Sequence, residues 1–85
     1  MRVFKYTIKD ELGIHARPSV MLAKEAKTCV SKIIIEKNKM RAEAIDLMAV
    51  MGLNVRCGDL IIVEITGEDE DIAYGRVRQF FENSL

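Results

Sequence analysis

The chain has 85 residues, 13 basic and 13 acidic, enough for one small domain spanning 1–85 with a single modest core. Its balanced charge leaves no electrostatic footprint for nucleic acid, and no apolar run approaches the roughly 20 residues that cross a membrane. The only histidine is His15, and Cys29 and Cys57 lack CxxC spacing, so no metal centre is expected.

Met1-Arg2-Val3-Phe4-Lys5-Tyr6 alternates apolar and polar residues, predicting a strand over about 2–8. The same stretch lacks the apolar core of a signal peptide. Two thiols left free in a reducing compartment are the simplest account of the cysteines, so a cytoplasmic location is expected. A turn through Asp10-Glu11-Leu12-Gly13 leads into a helix over about 16–27. In that helix Ser19, Leu22, Ala23 and Ala26 form an inward stripe, while Val20, Lys24 and Lys27 share a different face. The β-branched run Ile33-Ile34-Ile35 predicts a strand over 32–37, and Asn38-Lys39 turns tightly into a short strand over 40–43. Asp46 suits the N-cap of a short helix over 47–52, which Gly52 or Asn54 can end. Leu60 to Thr66 reads as a strand, and Asp69 or Glu70 opens a last helix running to about Asn83. The order β-α-β-β-α-β-α points to an α+β fold with helices packed on an antiparallel sheet. The pattern leaves the strand order open.

Chemistry concentrates in Gly13-Ile14-His15-Ala16-Arg17-Pro18-Ser19. Pro18 suits the first turn of a helix, where its missing N–H costs nothing. His15 then sits at or just before a helix N-terminus, where unpaired backbone N–H groups and the helix dipole favour an anion. Arg17 adds a fork of donors matched to phosphate. An imidazole nucleophile, an anion-friendly helix start and an arginine within three residues read as a reversible phosphohistidine site. A plain capping or surface histidine is the alternative that position alone allows.

The string Gly-Ile-His-Ala-Arg-Pro-Ser resembles the active-site signature of HPr, the phosphocarrier of the bacterial phosphoenolpyruvate-dependent sugar phosphotransferase system. Asp46-Leu47-Met48-Ala49-Val50-Met51-Gly52-Leu53 lies where that family carries a short methionine-rich helix, and Gly58 and Gly67-Glu68-Asp69-Glu70 fall before the last strand and last helix, as in the family. The resemblance covers nearly the whole chain. It implies an open-faced sandwich of four antiparallel strands under three helices. It also implies that His15 accepts a phosphoryl group from phosphorylated Enzyme I, on Nδ1, and passes it to the A domain of a sugar permease. Backbone N–H groups of Ala16 and Arg17, with the Arg17 side chain, would stabilise the transferring group. Such a protein is a stoichiometric carrier rather than an enzyme, needs no cofactor, and is expected to be a monomer.

The short helix, with Leu47, Met48 and Met51, has almost no polar side, so part of it should stay exposed as a docking patch. Lys24 and Lys27, beside Val20, are candidate contacts for acidic partners, although an ordinary solvated lysine face is the plainer account. Burial of Leu47, Val50 and Met51, leaving only Met48 outside, is the plainer account of the short helix.

One position departs from the family. In low-GC Gram-positive bacteria a serine usually precedes the short helix and is phosphorylated by a dedicated kinase in control of catabolite repression. Here that position is Asp46, which cannot take the phosphate. It serves as a cap or as a fixed charge that partly imitates phosphoserine, and Ser31 is no obvious substitute. A regulatory paralogue that docks a transcription factor or enzyme is therefore the main rival reading. A binding domain in which His15 only caps a helix is a second. An enzyme with its own substrate pocket finds no nucleophile visibly paired with a base.

Overall fold

In the computed structural model, which describes residues 1–85, the chain runs β1 (Arg2–Thr7), α1 (Ala16–Lys27), β2 (Lys32–Lys37), β3 (Met40–Glu43), α2 (Leu47–Gly52), β4 (Leu60–Thr66) and α3 (Glu70–Ser84). The strands make one sheet in the order β1-β4-β2-β3, every neighbouring pair antiparallel. Because β1 and β2 are both antiparallel to β4, they run parallel to each other, and the last strand inserts between them. β1-α1-β2 is thus a split crossover, which accounts for a strand order that local pattern does not specify.

Alternation within the strands decides which face the helices cover. Phe4, Ile33, Ile35, Ala42, Ile61, Val63 and Ile65 are buried, whereas Val3, Lys5, Thr7 and Leu60 face outward. Against the buried face α1 sets Leu22, Ala23 and Ala26, α2 sets Val50, and α3 sets Ala73, Val77 and Phe81. Phe81 meets Phe4 and Tyr6 edge-on, with ring centroids 5.8 and 5.6 Å apart. Each fully buried Val, Leu, Ile or Phe among these contributes roughly 1.5–3 kcal/mol relative to exposure. The open sheet face carries Arg41, which pairs with Glu36 of β2 and reaches Glu64 of β4 with two bonds of 2.7 and 2.9 Å.

Element bounds differ from the pattern-based expectation only at two ends. β1 stops at Thr7 because the Ile8 N–H turns to the Asp59 carbonyl, 2.9 Å away, and α3 continues to Ser84. The Asn38-Lys39 turn has φ of 49° and 69°, the twist that a two-residue hairpin between right-twisted strands requires. No helix is long and apolar enough to cross a membrane.

Candidate functional site

The turn before α1 is built from its own side chains. Asp10 accepts the Leu12 N–H at 2.8 Å through Oδ1 and the Gly13 N–H at 3.0 Å through its carbonyl. Gly13 then adopts φ +70°, a conformation that an L side chain resists. A methyl at Gly13 would overlap the Val55 carbonyl oxygen and lie 2.6 Å from the Arg56 Cα. That contact lets the Ile14 N–H donate to the Val55 carbonyl at 3.0 Å while the Ile14 side chain is buried. The turn carrying His15 is thereby stapled to the loop that joins α2 to β4.

His15 is the N-cap of α1, with extended backbone and a side chain that makes no capping bond. Its carbonyl accepts both the N–H and the hydroxyl of buried Ser19, at 3.1 and 2.8 Å, which fixes the backbone while leaving the imidazole free. Ala16 and Arg17 are the first two helical residues, and Pro18 is the third. Helix geometry gives the N–H groups of Ala16 and Arg17 no carbonyl one turn back, Pro18 has no N–H, and that of Ser19 is used. Two backbone donors therefore remain at the helix start beside the imidazole.

The His15 side chain is 36% exposed, and its Nε2 lies 3.9 Å from Asp10 Oδ1. It lines two hollows. The larger, about 590 Å³, is lined by Met51, Asn54, Arg56 and Cys57 together with the 11–15 turn. The smaller, about 300 Å³, is lined by Asp10, Arg17, Pro18, Met21 and Ser84. Both are open, shallow and charged, suited to a group presented by another molecule rather than to an enclosed substrate.

Of the candidate residues, His15, Ala16, Arg17 and Met51 come together. Val20, Lys24 and Lys27 are exposed on α1, but at 1.5 Å per residue the two lysines lie roughly 14 and 18 Å along the axis from His15. On α2, Leu47 is half-buried, Val50 is buried, Met48 is 74% exposed and Met51 39% exposed. Burial of the whole helix except Met48 is therefore too strict, since Met51 also reaches the surface. Asp46 caps α2 by accepting the Ala49 N–H at 3.1 Å, as expected of an aspartate there.

Asp10, Met21, Asn54, Arg56, Cys57 and Ser84 also border His15. Met21 was within reach of sequence reasoning, being four residues after Arg17 on one helix face. The 54–57 loop was not, because tertiary contacts, those of Gly13 and Ile14 with Val55 among them, bring it to the site. Cys29 and Cys57 are both free thiols.

A family model described as the PTS HPr component phosphorylation site matches residues 3–83. The phosphocarrier protein HPr of Mycoplasma capricolum is 35% identical over 79 residues, which are 93% of this chain and 89% of that protein. The solved structure of a mycoplasma histidine-containing phosphocarrier protein shares 32% identity and superposes with a TM-score of 0.94, covering 98% of this chain and 94% of that one. Crh of Bacillus subtilis, described as a catabolite repression protein forming a domain-swapped dimer, is 26% identical with a TM-score of 0.78, over 100% of this chain and 98% of its own. With its sheet order, its three helices and residues 3–83 under the family model, the chain belongs to the HPr family of phosphotransferase-system phosphocarriers.

Proposed function

We propose that this chain is a phosphocarrier that takes a phosphoryl group on His15 from phosphorylated Enzyme I and gives it to the A domain of a sugar permease. The observation that carries this reading is the uncommitted imidazole at the start of α1, beside two unused backbone N–H groups and the Arg17 side chain. In the accepting step a neutral His15 nitrogen forms the bond to phosphorus while the bond from phosphorus to the donor breaks. Asp10, on the Nε2 side, favours a proton on Nε2, which leaves the lone pair on Nδ1. The Ala16 and Arg17 N–H groups and the Arg17 guanidinium take up charge on the transferring oxygens. Partial exposure then lets the acceptor reach the same phosphorus, and the carrier returns unchanged, a stoichiometric participant rather than a catalyst.

Met48 and Met51 on α2, flanked by Leu47, supply an apolar docking patch, and Val20, Lys24 and Lys27 extend it along α1 toward acidic partner surfaces. The free thiols of Cys29 and Cys57 suit a cytoplasmic carrier. A monomer presents this surface unobstructed.

Intact-mass measurement after incubation with phosphoenolpyruvate and catalytic Enzyme I tests the reading. The expected result is a gain of one phosphoryl group, labile in acid, stable in alkali and absent in His15→Ala. Failure to gain it, with an active control carrier in the same tube, would overturn the assignment.

A second reading is favoured by the likeness to Crh and by Asp46 at the α2 N-cap: a regulatory paralogue that binds a transcription factor or enzyme. Robust phosphoryl flux through His15 counts against it.

A further inference from the structure

We infer that Arg56 is a second phosphoryl-holding guanidinium, acting from the larger of the two hollows that His15 lines, while Arg17 acts from the smaller. The inference rests on the carrier reading and adds to it a residue from a different element. His15 is the only residue that lines both hollows, and each hollow supplies one arginine.

The six arginines divide by what their side chains do. Arg2 binds Asp71, Arg41 binds Glu36 and Glu64, Arg76 binds Thr28, and Arg78 binds Tyr74 and Glu82. Arg17 and Arg56, the two that flank His15, make no side-chain bond within the protein. For Arg56 an acid stands close by and is spent elsewhere. Asp59 accepts the Arg56 backbone N–H at 2.8 Å and the Lys37 ammonium at 2.8 Å. The Lys37 ammonium also donates to the Asn54 carbonyl at 2.7 Å, so the 54–59 loop is held without a hydrogen bond from the Arg56 guanidinium, whose charge acts on Asp59 only through space. Gly13 against Val55 and Arg56 fixes that loop beside the imidazole.

A phosphoryl group in transfer spreads charge over three oxygens. The start of α1 offers two N–H groups and one guanidinium. A guanidinium from the 54–57 loop, a different element, binds a remaining oxygen and limits the swing of the phosphorylated ring. Glu11 also borders the larger hollow, so the group accommodated there is one that Arg56 must bind against a nearby carboxylate.

The test uses the intact chain with inorganic phosphate as the first probe and Enzyme I as the second. Replacing Arg56 leaves its backbone bond to Asp59 in place, so Arg56→Gln should unfold at the same temperature as wild type. Phosphate titration, followed by the His15 ring resonances, should show affinity reduced about tenfold in Arg56→Gln and restored only in part in Arg56→Lys, which keeps the charge but not the planar fork. With Enzyme I, phosphoryl acceptance should slow about tenfold at saturation with little change in KM. Equal phosphate affinity in wild type and Arg56→Gln would overturn the inference. So would an effect confined to KM, which would make Arg56 a docking residue. A wild type that takes no phosphoryl group from Enzyme I, yet binds phosphate through Arg56, would overturn the carrier reading while upholding this one.

Discussion

Under the proposed carrier role Arg17 would offer an incoming phosphoryl group two separable things, a backbone N–H at the second position of α1 and a guanidinium beside the smaller hollow that His15 also lines. Arg17→Lys keeps the N–H and the positive charge but removes the planar fork. A lost charged hydrogen bond is worth about 1.5–3 kcal/mol, so the rate of acceptance from Enzyme I should fall roughly tenfold or more while KM changes little. Rapid-quench rates that match wild type would remove the side chain from the transfer step. The helix start at this position was legible because a histidine, an arginine and a proline at fixed offsets mark it locally. Asp46 was legible for the same reason, since its carboxylate meets the Ala49 N–H as an N-cap does, a contact worth about 1 kcal/mol. Arg56 was not legible, because nothing in Asn54-Val55-Arg56-Cys57 says which part of the chain lies against it.

Between elements, the decisive contact is the one a glycine permits. Gly13→Ala would force a positive φ on an L residue, at about 1–2 kcal/mol, and press a methyl into the Val55–Arg56 backbone. Backbone cannot swing aside as a side chain can, so the total should exceed 2 kcal/mol in urea unfolding, with the midpoint lowered and the slope unchanged. If the variant folds, the Ile14–Val55 bond should lengthen and phosphoryl acceptance should drop with it, because the 54–57 loop is then displaced from His15. A variant as stable as wild type would show that the two loops are not stapled there. Strands and helices were readable to within about a residue because each carries its own periodicity, Ser19-Leu22-Ala23-Ala26 in α1 being the clearest. The insertion of β4 between β1 and β2 was not readable, since each strand's sequence shows only a period of two and tertiary pairing chooses their order.

Across the whole molecule, Asp69, Asp59 and Glu64 are three of the carboxylates that tie segments distant in sequence, and each is held below its ordinary range. Asp69 accepts the Ser31 hydroxyl and the Val30 N–H, joining the start of α3 to the α1–β2 connection, and its value is lowered from 3.8. Asp59 is lowered from 3.8 by the Lys37 ammonium and then the Arg56 N–H, and Glu64 from 4.5 by Arg41. A lowered value in the folded state means that the unfolded chain binds more protons below about pH 4.5, so stability rises with pH there. The contribution is fully present above the unfolded values and is lost as pH falls through the folded ones. Melting temperature should therefore respond little to these three groups between about pH 7 and 5 and fall progressively below about pH 4. Each group is solvent-screened, so the decline should be gradual rather than a collapse at one pH. Asp69→Asn retains an acceptor oxygen but has no charge to lose. That variant should melt lower than wild type at pH 7, and the gap should narrow as the pH approaches 3. A constant gap across that range would mean that the Asp69 charge contributes nothing and that its oxygens act only as hydrogen-bond acceptors.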